Sequence, residues 1–217
     1  LSEMKAQQPK KEDSFPLRLF TKAAKDDYID EAACAECHKS AHSGFERSPH
    51  KPFVMSPKDE LGKHGCQACH GPGGPHLAHL EKPEEIYQFI VSYPRVKPME
   101  ASQVCMRCHT STMTMSHYRK TGHALANVGC VDCHEIHKIP ERETDQAKTA
   151  RIAHSVKRSF GASTRDSNRL LKSDEADLCA KCHRKEANEF RSNFHHPLPE
   201  GRILCSDCHE VHPTRDT

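Results

Sequence analysis

The chain is 217 residues long, with only 35% hydrophobic residues, no Trp and a mean hydropathy of −0.80. That is thin for a side-chain core, because apolar burial must offset an ordering cost of about 1–2 kcal/mol per residue. Lys plus Arg (32) nearly balances Asp plus Glu (30), so the basic footprint of a nucleic-acid binder is excluded. The longest mostly apolar stretch, Tyr87–Tyr93, falls far short of the roughly 20 residues of a membrane helix. No charged-then-apolar leader stands at Leu1, so the expectation is a soluble protein whose secretory signal has been removed. What the composition offers in place of a core is 12 Cys and 18 His, both metal-binding types.

Residues 1–27 read as an N-terminal arm rich in Lys, Gln and Pro. Its one apolar patch, Phe15-Pro-Leu-Arg-Leu-Phe20, could dock on a partner or on the protein's own prosthetic groups; an untethered tail is the alternative. Residues 28–80 carry Cys34-Ala-Glu-Cys37-His38 and Cys66-Gln-Ala-Cys69-His70, with His50 and His76 following. Residues 81–100 open with Glu-Lys-Pro-Glu-Glu, a helix start with Pro and acids in the first turn. Ile86, Phe89 and Ile90 share a face there, so a short connecting helix ending before Pro94 is expected. Residues 101–139 carry Cys105-Met-Arg-Cys108-His109 and Cys130-Val-Asp-Cys133-His134, with His123 and His137. Residues 140–174 are strongly charged and read as a linker or exposed helix. Residues 175–217 carry Cys179-Ala-Lys-Cys182-His183 and Cys205-Ser-Asp-Cys208-His209, with His195 and His212.

All 12 Cys therefore fall in six Cys-x-x-Cys pairs, and His follows every pair at once. This is the signature of c-type haem attachment. Two thiols add across the two vinyl groups of one porphyrin, and the next His is held over the iron as proximal ligand. A disulfide framework gives no reason for His after each pair. Zinc ribbons use regular spacing, whereas successive pairs here start 32, 39, 25, 49 and 26 residues apart. Six haem c are expected, with proximal His38, His70, His109, His134, His183 and His209. The porphyrins then stand in for the missing core.

The remaining histidines are not scattered. A further His follows His38, His109 and His183 at 12, 14 and 12 residues. Another follows His70 at six residues, and His134 and His209 at three. The chain reads as three repeated two-haem modules, 28–80, 101–139 and 175–217. His50, His76, His123, His137, His195 and His212 are the candidate distal ligands, one for each iron, in unassigned pairings. His42, His64, His79, His117, His154 and His196 are left over as solvated or propionate-binding residues. Among these His42 and His79 compete for a ligand role, and His196 competes with its neighbour His195. Met99, Met106, Met113 and Met115 could supply axial sulfur or pack on a porphyrin face. The expected fold is a mainly α and irregular, haem-cored multihaem cytochrome c with little or no β-sheet.

The ordered set Phe45-Glu-Arg-Ser-Pro-His50, Cys69-His-Gly-Pro-Gly-Gly-Pro-His76, Gly122-His-Ala-Leu-Ala-Asn-Val-Gly-Cys130, Cys133-His-Glu-Ile-His137, His195-His-Pro-Leu-Pro-Glu-Gly and Cys205-Ser-Asp-Cys-His-Glu-Val-His212 resembles one family. That family is the periplasmic decahaem cytochromes of the MtrA/DmsE type, over roughly residues 28–213. The resemblance implies a bis-His haem wire feeding an outer-membrane porin–cytochrome conduit, with distal ligands at His50, His76, His123, His137 and the His-His-Pro site. Six motifs in place of ten shorten the wire. A periplasmic shuttle, a small conduit component or a unit stacking end to end with its own copies are then the expectations.

The expected function is electron transfer in the periplasm or outside the cell, with other redox proteins, and possible further multihaem cytochromes or a porin, as partners. An enzyme is the competing class, a multihaem reductase with one open iron. In nitrite reductases of that kind Lys commonly replaces the proximal His, whereas all six motifs here end in His. A polymeric cytochrome filament is the third reading, and it overlaps with the first.

Overall fold

The computed structural model describes residues 14–56, 64–109, 117–137 and 170–212. The start of the arm, Met113, Met115, His154 and most of the charged 140–174 stretch lie outside the described residues. Among those described, the chain is short helices, single 3-10 turns and irregular backbone without a strand. A lone bridge between His134 and Leu171 is the nearest approach to a sheet. This is the mainly α and irregular architecture of a multihaem cytochrome c.

Local chemistry sets where each helix begins. Asp30 caps the helix Glu31–Cys37 by accepting from the Ala32 N–H. The helix Pro98–Cys105 starts on a proline with Glu100 in its first turn. Glu175 and Asp177 play the same part for Glu175–Ala180. Thr121 caps Gly122–Leu125 through the Ala124 N–H at 3.2 Å. At the other end, Gly71 at φ 88° stops the helix Gln67–His70. A side chain there would meet the Leu19 Cβ at 3.2 Å, so glycine serves both the turn and the packing.

Among the described residues the polypeptide's own core is small. Val91, Val96, Ala101 and Val104 are buried together, with Phe15, Leu19, Phe20, Tyr93 and Val131 against them. The apolar patch of the arm thus packs on the protein's own middle. The Arg107 guanidinium lies 3.9 Å over the Phe20 ring and donates to the Ala68 carbonyl at 2.9 Å, which clamps the arm to the second motif.

The connecting helix expected over 81–100 is not formed as such. Two 3-10 turns, Ile86–Gln88 and Tyr93–Arg95, replace it, and the helix proper begins only at Pro98. The reason is a competing partner. The Val91 N–H donates to the His70 carbonyl at 2.8 Å, and the Val91 carbonyl accepts from His70 Nδ1 at 2.8 Å. Tertiary hydrogen bonds to the second motif have taken the groups a helix would use.

Candidate haem-binding sites

Every motif is built on one helical turn. The motif His donates its N–H to the carbonyl of the first Cys in all six, at 2.9 Å (Cys34), 3.0 Å (Cys66), 3.1 Å (Cys105), 2.8 Å (Cys130), 2.9 Å (Cys179) and 2.9 Å (Cys205). Residues i, i+3 and i+4 of a helical turn share a face. Both thiols and the imidazole are therefore presented on one side, which is why the spacing is Cys-x-x-Cys-His.

Successive motifs neighbour one another in chain order, and the kind of approach alternates. The first cysteines of motifs one and two, Cys34 and Cys66, are hydrogen-bonded to each other. The second cysteines of motifs two and three, Cys69 and Cys108, lie within electrostatic reach. Cys105 and Cys130 repeat the first kind of contact, Cys133 and Cys182 the second, and Cys179 and Cys205 the first again. The hydrogen bond lowers the Cys34 and Cys130 thiols and raises Cys66 and Cys105, while burial raises Cys69 and Cys179. The three first-cysteine contacts coincide with the pairs of motifs in 28–80, 101–139 and 175–217. A residue one turn ahead of the first motif reaches the second one in each pair. Glu31 accepts from the Cys66 thiol at 3.6 Å, Ser102 from the Cys130 N–H at 2.9 Å and Glu175 from the Ser206 N–H at 2.6 Å.

The histidine rings supply the test of fit for an iron porphyrin. Two imidazoles on opposite sides of one metal ion, with bonds of about 2 Å, hold their centroids about 6 Å apart. His50 and His109 are 6.0 Å apart, His70 and His137 5.9 Å, His123 and His183 6.0 Å, and His134 and His212 6.0 Å. Each pair joins a motif His to one of the spare histidines. His76 lies within electrostatic reach of His38. In the pair of His70 and His137 both rings donate Nδ1–H to backbone carbonyls, of Val91 at 2.8 Å and Ala41 at 3.0 Å. That fixes the tautomer with the Nε2 lone pair available for a metal. His50 Nδ1 is buried without a hydrogen-bond partner among the described residues. Burial lowers the pKa of His50, His70 and His76, and a neutral imidazole is the ligating form. The residues present fit haem c.

His195 is placed otherwise. Its Nδ1 meets the Ser192 carbonyl and its Nε2 the Glu200 carboxylate at 3.1 Å, contacts that hold its pKa above the ordinary value. Among the described residues no motif His faces its ring, and its neighbour His196 sits 6.5 Å from Phe190. The other spare histidines have their own partners. His79 stacks on Phe89 at 3.9 Å and donates to the Pro75 carbonyl, His64 stacks on Tyr28 at 3.9 Å, and His42 lies 3.7 Å from Glu46. His117 opens the Tyr118–Lys120 turn. Met106 is buried with its sulfur on Arg119 Nε at 3.2 Å, and Met99 is half-buried.

Sequence reasoning missed the groups that orient the rings. Tyr93 packs edge-on to His70 at 5.3 Å and donates to the Cys69 carbonyl at 2.9 Å. The Val91 and Ala41 carbonyls leave no trace in a sequence, because any residue supplies one.

An iron porphyrin would be held by the paired cysteines and the motif histidines, and would supply one-electron redox chemistry there. Its class is accordingly the multihaem c-type cytochromes, with haem c as cofactor. Comparison with known proteins agrees. The profile of the family described as cytochrome c-type protein NrfB-like matches residues 66–158. Multiheme cytochrome MtrA of Shewanella baltica (strain OS185) is 25% identical over 201 residues, covering 89% of this chain and 50% of that protein. The chain thus spans about half the length of this curated relative. No solved structure matches it. The chain is thus similar to a cytochrome c-type family over residues 66–158 and to a multiheme cytochrome over most of its own length.

Proposed function

We propose that the chain is a six-haem electron carrier in which five of the six bound irons lie between two of its own histidines. The observation that carries this reading is the set of four opposed ring pairs at 5.9–6.0 Å, each built from one motif His and one spare His. When bound, haem c supplies one-electron redox chemistry. The polypeptide does the rest. His38, His70, His109, His134, His183 and His209 hold the proximal positions, and His50, His76, His123, His137 and His212 the distal positions. Two neutral imidazoles suit iron in both oxidation states, and no bond is made or broken in a substrate. The alternating approaches between cysteines support a path along which electrons pass from one attachment site to the next in chain order. Three two-motif modules, 28–80, 101–139 and 175–217, form this succession. The carrier works outside the cytoplasm, periplasmic or extracellular, and exchanges electrons with other redox proteins.

Haem counting by pyridine haemochrome and intact mass, with low-temperature electron paramagnetic resonance, tests the reading. Six covalent haems with predominantly low-spin bis-imidazole signals are expected. Potentials should lie below those of Met/His cytochromes, and the titration should be broad because adjacent sites are coupled. Fewer than six haems, or several high-spin irons that turn over nitrite or hydroxylamine, overturn it in favour of a reductase.

A further inference from the structure

The four ring pairs differ in twist as well as in partners. The planes of His70 and His137 meet at 42°, and those of His134 and His212 at 29°. Those of His50 and His109 meet at 72°, and those of His123 and His183 at 84°. Taken from the second motif to the fifth, the angles run 42°, 72°, 29° and 84°, so shallow and crossed pairs alternate. In both shallow pairs the spare His returns to a motif earlier in the chain. In both crossed pairs it reaches forward to a later one.

The returning rings share a kind of seat. His137 lies 6.1 Å from the buried Phe45 ring, and His212 lies edge-on to the buried Tyr118 ring at 5.7 Å. Each aromatic stands five residues ahead of a spare His that reaches forward, Phe45 before His50 and Tyr118 before His123. One segment thus sends a ring out and receives another. The first seat has two further parts. The Ala41 carbonyl accepts from His137 Nδ1 at 3.0 Å, and a Cβ at Gly44 would lie 2.9 Å from the His137 carbonyl oxygen, so glycine lets that backbone in. In the second seat the Tyr118 hydroxyl donates to the Val128 carbonyl at 2.9 Å, which pins the aromatic itself. Phe190 also stands five residues ahead of a spare His, His195, but its ring lies 6.5 Å from His196. The role therefore belongs to the two aromatics that a returning ring reaches.

We infer that Phe45 and Tyr118 are positioning residues, which hold the returning imidazole at a shallow angle to its partner and so make two classes of iron site alternate along the chain. The inference rests on the bis-His reading proposed above and adds ligand orientation to it. Its consequence is electronic. Imidazoles in similar planes donate into the same iron d orbital and split the two orbitals that share the ferric hole. Crossed imidazoles donate into both and leave them nearly equal in energy. A shallow pair therefore gives a rhombic low-spin ferric signal, and a crossed pair a strongly axial one with a large maximum g. The same splitting steadies the ferric ion, so at equal burial the shallow sites are harder to reduce than their crossed neighbours.

The test uses the full-length haem-loaded protein, read by low-temperature electron paramagnetic resonance of the oxidised form and by haem count. The wild-type spectrum should contain both low-spin signals, with at least two irons in each class. Phe45→Leu keeps apolar bulk and removes the ring. It should move one rhombic signal toward larger maximum g, with the haem count and the strongly axial signals unchanged. Tyr118→Leu should move a second rhombic signal, whereas Tyr118→Phe, which keeps the ring, should give the wild-type spectrum. Low-spin irons of one class only overturn the inference, and the wild-type protein alone decides that point. So does a Phe45→Leu or Tyr118→Leu protein with unmoved signals, or a Tyr118→Phe spectrum shifted as far as that of Tyr118→Leu. The bis-His reading itself fails differently, by too few haems or by several high-spin irons in the wild-type protein.

Discussion

The middle of the chain and its C-terminal module use the same attachment turn in opposite surroundings. Around the second to fourth motifs, His70 is hydrogen-bonded to the buried Val91, and Cys69, Cys105 and Cys130 lie within electrostatic reach of Tyr93, which packs on Val91, Val96, Ala101 and Val104. Burial there favours neutral His70, and the Val91 carbonyl orients its ring before any metal is considered. In 170–212 the second cysteine and the His of both motifs are exposed, and Leu204 and Glu175 are the buried residues. Glu175 does by polar contact, to the Ser206 N–H and hydroxyl, what an apolar cluster does in the middle. The same five-residue motif is thus ordered by side chains in one place and left to its porphyrin in another.

The largest effect should come from forcing one region to resemble the other. Leu204 precedes the second motif of the C-terminal module and Gly129 occupies the matching position in the middle. A Cβ at Gly129 would lie 2.2 Å from the Pro98 carbonyl oxygen, so Gly129→Leu strikes backbone that cannot yield. A loss above about 3 kcal/mol is expected, seen as collapse in the yield of fully loaded protein. Leu204→Ala should cost only about 2 kcal/mol, the low end for a buried leucine at an edge. Equal losses at the two sites would erase the comparison. Next in size, His137→Ala should convert one iron to high-spin, whereas His195→Ala should leave the spin state of dilute protein unchanged. Phe20→Ala should remove about 2 kcal/mol through lost packing and the Arg107 contact. Thermal unfolding would show it as a lower midpoint, with the haem spectrum intact.

The attachment motif is legible in the sequence alone, because a covalent motif needs no tertiary context. Offsets singled out His50, His123, His137 and His212, the spare rings that now lie opposite motif histidines. They were silent on which ring each would meet. A ring three residues from His134 turns to His70 instead, and only the folded path brings those together. The stretch 81–93 reads as helical from its apolar periodicity, which carries no sign of the His70 carbonyl as a competing partner. The arm patch was legible as apolar, and its docking place was not. His79 was a plausible ligand on spacing alone, and its stacking on Phe89 is a contact between residues ten apart that no ligand motif encodes.

The smallest expected effect isolates a single hydrogen bond in the ordered region. Tyr93 donates to the Cys69 carbonyl at 2.9 Å while its ring packs edge-on to His70. Tyr93→Phe keeps the ring and removes the donor, so about 1 kcal/mol should be lost at neutral pH. The haem signals should not change, since the ring still fills its place. Burial pushes the Tyr93 phenol well above its ordinary pKa of 10.0, with Cys69 the next contributor. For a group raised in the folded state, the neutral phenol's stabilising contribution is fully present below the unfolded pKa and is lost as pH rises beyond it. The wild-type advantage over Tyr93→Phe should therefore be constant from pH 7 to about 9.5 and shrink above about 10. Denaturant unfolding of both proteins across that range measures it. An advantage that persisted or grew above that pH would mean the phenol is not buried as described, and with it the ordered surroundings that set the middle of the chain apart from its C-terminal module.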